Sequence, residues 1–231
     1  MAGCRLMFIR IKAPVVVLAT VPLLASGAFF NAVIYEIPSD KTFISQSLYN
    51  DTPRNNMYTI SAWKIAKPGA GDEPVLPNQG ELLYAPLRFN LPPRSSEYFR
   101  LYYKGPEDDL ERYYRVVFKE TPVTLLPFRD RPQKMDVMPV VAMSTILVVR
   151  PRKPRLEWQI DERKGELRNI GNTFFRVIIH QGCAGDDERS TQFYMLPGER
   201  YSDASLVGKN RKYLVANQRY FALGNACFDA R

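Results

Sequence analysis

The sequence is poor in the side chains that do chemistry. It has one histidine, three cysteines and two tryptophans among 231 residues. There is no Gly-x-Ser-x-Gly elbow and no Cys/His group at metal-ligand spacing, so an enzyme would have few parts to work with. The acidic pairs Asp108-Asp109 and Asp186-Asp187 fall in turns, where a solvated loop is the ordinary role. His180 ends the apolar run that starts at Phe174 and reads as a structural residue. No catalytic residue, metal or cofactor is expected.

Long hydrophobic runs are also scarce. The apolar stretch Ala13–Ala25 follows Arg5, Arg10 and Lys12 and precedes the small residues Ser26-Gly27-Ala28. That order is a secretory leader, placed at residues 1–28, and the run is too short for a comfortable membrane span. An uncleaved anchor is the rival reading; stable membrane insertion is not expected. Loss of the leader removes three positive charges and no negative one, leaving +5 from +8. Such a balance suits an acidic partner without identifying one. A nucleic-acid reader would need an exported substrate, so no nucleic acid is expected. Cys4 leaves with the leader, and in an oxidising compartment the remaining Cys183 and Cys227 read as one disulfide. A metal-binding or catalytic thiol is the alternative, but it lacks nearby partners.

Long amphipathic helical patterns, internal repeats and low-complexity tracts are absent as well. What remains is a series of short β-type runs separated by prolines and turn residues: Ala32–Ile37, Thr42–Tyr49, Met57–Ile65, Glu97–Tyr103, Arg112–Lys119 and Val137–Val149. After the stiff, basic Pro151-Arg152-Lys153-Pro154 come Leu156–Ile160, Glu166–Asn169, Phe174–Gln181, Gln192–Met195, Lys212–Val215 and Arg219–Leu223. Turns are expected at Leu196–Glu199 and Val207–Asn210. The fold class is all-β, with two β-sandwich domains at 29–150 and 156–231 and a linker at 151–155.

Two arginine-and-tyrosine runs flank a polar turn between Tyr98 and Glu120. Successive strand residues face opposite sides, so Phe99, Leu101 and Tyr103 point to a core while Tyr98, Arg100, Tyr102 and Lys104 point out. Likewise Tyr114, Val116 and Phe118 point in, and Tyr113, Arg115, Val117 and Lys119 point out. A solvated basic face is the plain reading of Arg100 and Lys104; the runs as a whole read as part of a protein-docking cleft. Val137–Val149 is apolar on both sides, where a half-buried strand would alternate with polar residues. Pro139 argues for an edge, so this is either a pairing site or a strand covered by the neighbouring domain.

These residues resemble the periplasmic chaperones of the chaperone–usher pilus pathway, in its alternative, α-type branch, the group of the E. coli common pilus (Ecp-type). The resemblance rests on Gly80–Pro86, Tyr103–Pro106 with Glu111–Arg115, and Thr145–Pro151, and extends to Asn169–Thr173 and Leu196–Gly198. It implies two immunoglobulin-like domains in an L-shaped arrangement. It also implies donation of the last first-domain strand to a pilus subunit, a pilin or tip adhesin, that lacks its own final strand. This is a form of strand addition for which such complexes are an established example. On that alignment Val137, Pro139, Val141 and Met143 fill the subunit groove. Arg150 and Glu111 match an interdomain ion pair. An outer-membrane usher would receive the complex, and the free chaperone could cap itself as a dimer. Other members anchor the subunit carboxylate with an arginine and a lysine, but the aligned positions here, near Ile34 and on Ile146, are apolar. Arg115 is the first candidate to replace them and Arg112 the second. A secreted structural or adhesive subunit built from the same sandwiches is the alternative function.

Overall fold

The computed structural model describes residues 27–69, 74–75, 80–123, 140–225 and 227–228. Its strands are assembled as two pairs of sheets, one pair before Pro151 and one after it. The first pair comprises a four-stranded sheet and a five-stranded sheet. In the four-stranded sheet the order is β1 (Ala28–Phe30), β3 (Phe43–Asn50), β7 (Ser95–Tyr103), β5 (Leu82–Ala85). In the five-stranded sheet it is β2 (Ile34–Ile37), β9 (Val141–Val149), β8 (Arg112–Pro122), β4 (Asn56–Ile65), β6 (Arg88–Leu91). All pairings are antiparallel except β2 with β9, which is parallel.

The inward halves of the alternating strands make the first core. Phe99, Leu101, Tyr58, Tyr114, Val116, Phe118 and Leu147 are all buried in it. Aromatic rings bridge the two sheets: Phe118 lies 4.7 Å from Phe30 and 4.8 Å from Phe99, and Phe99 lies 6.0 Å from Tyr35. Tilted and edge-on contacts of this kind add to the area buried by each ring. The expected inward and outward sets on β7 and β8 are the observed ones.

The second pair is smaller. One sheet orders β10 (Trp158–Asp161), β11 (Glu166–Asn169) and β14 (Arg200–Ser202). The other orders β13 (Thr191–Met195), β12 (Phe175–Ile179), β15 (Lys212–Ala216) and β16 (Arg219–Ala222). Its separate core gathers Leu167, Phe175, Val177, Ile179, Met195 and Leu214. His180 is buried, with Nε2 2.7 Å from Asp187 Oδ1 and Nδ1 accepting from Arg211 Nε at 3.1 Å. Asp187 thus belongs to a structural network rather than to a merely solvated loop.

Four short strands escape the sequence pattern: β1, β5, β6 and β14, of three or four residues each. An alternation needs more residues than that to register. Of the leader expected over residues 1–28, residues 1–26 lie outside the described residues. Ala28, however, pairs with Asn50, and the Gly27 carbonyl accepts from the Asp51 amide at 3.2 Å. The leader expected over 1–28 therefore overlaps the first strand.

Cys183 and Cys227 form the expected disulfide, 44 residues apart in sequence, tying the segment after β12 to the C-terminal end. A loop of that length stabilises by about 4 kcal/mol on the chain-entropy account. Replacing both cysteines by serine is expected to lower the unfolding free energy of the C-terminal half by up to about that amount. Denaturant titration with and without reductant measures it.

Candidate functional site

β9 has two unlike edges. On one side it pairs with β8 along its whole length, from Arg112 opposite Val149 to Glu120 opposite Val141. On the other side β2 covers only Ile146–Val149, beginning where the Ile146 amide donates to the Val33 carbonyl at 2.9 Å. The cause lies in the preceding chain. β1 belongs to the opposite sheet, so the chain crosses between sheets at Asn31-Ala32-Val33 and arrives at β9 late. Among the described residues no strand pairs with Val141–Thr145 on this side.

Backbone direction follows from the same contacts. The amides of Ile146 and Arg150 point to β2, donating to Val33 and Ile37. Alternation then turns the peptide groups of Ala142 and Ser144 to the open side, and those of Val141, Met143 and Thr145 toward β8. Side chains on the inner face are sealed by degrees. Val141 is 47% exposed, whereas Met143 is half-buried against the first core and Thr145 and Leu147 are buried. Met143 therefore faces the same side as Val141, as expected, but already packs against its own protein. Val137 and Pro139 lie outside the described residues.

The opposite reading, a strand covered by the neighbouring domain, describes the other end of β9. Val148 is buried in a cluster with Ile65 and Tyr113 from the first pair of sheets and Phe174 from the second. Ile34 and Ile146 pack against this cluster and are in register with one another. Ile146, on one expected anchor position, and Ile34, near the other, thus sit side by side as an apolar pair. They line a cavity of about 280 Å³ with Val148, Phe174 and Leu196. At its rim Lys67, which sequence reasoning missed, forms an ion pair with Glu199 across the junction. A lone lysine before a proline carries no pattern that would single it out.

Arg115 stands on the outer face, in register between Trp63 and Ile146. Its guanidinium donates to Ser144 Oγ at 2.9 Å and to the Gly69 carbonyl at 3.3 Å. It is therefore beside both the open edge and the rim of the cavity. Arg112 is not brought there. It projects to the inner face and binds Asp108 with two contacts, Nη1 to Oδ1 at 2.6 Å and Nη2 to Oδ2 at 2.7 Å. Those hydrogen bonds, outweighing a small effect of burial, hold the Asp108 carboxyl down at about 2. Nor does the Tyr98–Tyr102 run reach the cleft. Tyr98, Arg100 and Tyr102 lie on the outer face of the four-stranded sheet, because β7 and β8 belong to different sheets. Only the second half of the arginine–tyrosine stretch borders the cleft.

The junction is fixed by Glu111 and Arg150. Their side chains are only 1% and 7% exposed, and Arg150 Nη1 donates to Glu111 Oε2 at 3.0 Å. Both then reach the second pair of sheets: Glu111 accepts from the Phe174 amide at 3.0 Å and from Thr173 Oγ1 at 2.7 Å. Arg150 donates to the Phe174 carbonyl at 3.1 Å and lies 4.1 Å over the Phe174 ring. Glu36 takes the rest of the guanidinium, with Arg150 Nη2 at 2.8 Å. Tyr113 donates to Glu111 at 2.5 Å, and burial first, then the Glu111 charge, pushes its phenol far above the ordinary value.

Two outcomes follow. Glu111→Ala is expected to cost about 2–3 kcal/mol, because it takes the shared acceptor from Arg150 Nη1, the Thr173 hydroxyl and the Phe174 amide while Glu36 still pairs with the guanidinium, and Arg150→Met added to it is expected to recover part of the loss. Denaturant unfolding of the single and double variants measures this. Asp108 titrates below its ordinary 3.8, so its contribution is present above about pH 4 and fades as pH falls toward 2. Asp108→Asn should therefore lower the melting temperature by roughly 1–3 °C at pH 6, with the difference shrinking in acid.

No family model matches the chain. Among known proteins it is 37% identical over 194 residues to the "Probable fimbrial chaperone EcpE" of Escherichia coli O127:H6, covering 84% of this chain and 82% of the relative. It is 31% identical over 166 residues to the "Probable fimbrial chaperone EcpB" of the same strain, covering 70% of this chain and 73% of the relative. The crystal structure of the E. coli chaperone DraB shares the fold, with a TM-score of 0.54 at 16% identity over 86% of this chain and 98% of DraB. DraB and its kind are built from two immunoglobulin-like sandwiches, which is the arrangement of the four sheets here. With more than two thirds of each chain aligned at this identity to EcpE, the chain belongs to the family of fimbrial chaperones.

Proposed function

We propose that this chaperone holds a fimbrial subunit, a pilin or a tip adhesin, along the open edge of β9. The subunit's incomplete sandwich takes up the hydrogen-bonding groups of Ala142 and Ser144, and side chains at Val137, Pro139, Val141 and Met143 enter the groove that its missing strand leaves. The observation that carries this reading is the half-filled ladder of β9, complete toward β8 and, among the described residues, empty on the β2 side before Ile146. Unpaired edges with apolar side chains are natural pairing sites. Met143 fills less of the groove than Val141, because it is already half-buried.

Arg115 is the cation we assign to the subunit's terminal carboxylate. It lies on the outer face beside Ser144, whereas Arg112 is turned inward and occupied by Asp108. A desolvated carboxylate needs such a donor. The work is done by binding alone, without catalysis or a cofactor, in the periplasm, with an outer-membrane usher as the acceptor of the complex. In the absence of cargo the same edge serves a second copy, as a self-capping dimer. Glu111 and Arg150 keep a structural role at the junction.

The test uses the fimbrial subunit co-produced with the chaperone. Ala142→Pro removes one outward amide and leaves the ladder to β8 intact, so it is expected to weaken the complex at least about tenfold while the free protein melts normally. Arg115→Ala is expected to prevent recovery of the complex. Unchanged complex yield for Ala142→Pro would remove the edge from the reading, and unchanged yield for Arg115→Ala would remove the anchor.

A further inference from the structure

We infer that the cavity at the domain junction is a specificity pocket that receives one bulky apolar side chain of the bound subunit. The inference rests on the strand-donor reading above. A polypeptide paired with Ala142 and Ser144 cannot continue past Ile146, because β2 occupies the edge from that residue onward. It must leave the sheet there. The outward side chains that border the exit are Ile34 and Ile146, and they are walls of the cavity. The place where the guest strand ends and the place where the apolar cavity opens are therefore the same.

The walls decide what enters. Ile34, Ile146, Val148, Phe174 and Leu196 offer hydrocarbon and ring surface. Lys67 and Glu199, both in the lining, pair with each other and so neutralise one another. A volume of about 280 Å³ falls below the roughly 300–1,000 Å³ of sites for small molecules. It suits a single side chain such as Leu, Phe or Tyr. Arg115, next to Ile146 on the neighbouring strand, is the residue assigned above to the polypeptide's terminal carboxylate, so charge and side chain are read by separate residues.

The floor is set in advance. The Phe174 amide is bound by Glu111, its carbonyl is bound by Arg150, and its ring lies beneath the Arg150 guanidinium. A pocket whose floor is immobilised before the guest arrives discriminates by shape at low entropic cost. Chaperones with different residues at positions 34, 146 and 196 would select different subunits.

The experiment is a double-mutant cycle with the co-produced fimbrial subunit. Each apolar residue among the subunit's last four is changed to serine, and the chaperone carries Leu196→Trp, which fills the pocket. One serine change is expected to weaken binding to the unaltered chaperone by about tenfold or more, the loss for one buried apolar side chain. Leu196→Trp is expected to weaken the unaltered subunit to a similar extent, and to make that serine change silent. Ile34→Trp is the second filling variant, used if Leu196→Trp does not fold. Additive losses, or no sensitive position in the subunit, would overturn the pocket while leaving the strand-donor reading in place. Failure of the unaltered pair to associate at all would overturn both.

Discussion

A guanidinium and a carboxylate withdrawn from water at the centre of the molecule set the terms for everything around them. Taking Arg150 and Glu111 out of solvent is costly, and the cost is met only because nearly every hydrogen-bonding direction of both groups is filled. The partners that fill them come from β2, from β8 and from the Thr173-Phe174 segment. The pair can thus be satisfied in one relative placement of the two halves. In that placement Phe174 meets Tyr113 and Val148, the end of β9 is covered, and the apolar cavity takes its shape.

The other half of β9 is governed by topology rather than charge. A first strand that begins in one sheet and ends in the other reaches β9 only at Ile146. The four residues of β2 satisfy the last rungs of the ladder, and the residues before them keep their outward peptide groups. The strand's inner face passes from exposed Val141 through half-buried Met143 to buried Thr145. One segment thus combines a firm root in its own sandwich with an edge that β2 leaves uncovered before Ile146, which is what the strand donation proposed above needs.

Much of this was legible in the residues. The strand alternation in Tyr98–Tyr103 and Arg112–Lys119 placed each side chain on its observed face, and the doubly apolar run contains β9, whose described part is Val141–Val149. Strands of three or four residues were not legible, because so few positions give no period. The contiguous arginine–tyrosine stretch misled for a related reason. Its central turn carries the chain from one sheet to the other, so its halves look away from one another, and local alternation does not report which sheet a strand joins. Parity pointed Arg112 inward, but its capture by Asp108 depends on how the 104–111 connection folds back. The junction pair came from family resemblance, since nothing in the spacing of Glu111 and Arg150 announces a contact.

The Pro151–Pro154 segment has the composition of a spacer, yet its central residues and the one that follows are hydrogen-bonded to both halves. The Arg152 amide donates to the Asp108 carbonyl at 2.9 Å, the Lys153 amide to Asp109 at 3.1 Å, and Asn172 accepts from the Arg155 amide at 2.6 Å. Gly171 lies so close beneath it that a methyl group there would strike the Arg155 carbonyl. The segment is a splint. Braced in this way, the two halves present the open edge of β9 and the junction cavity at a fixed spacing, as a bracket rather than a hinge.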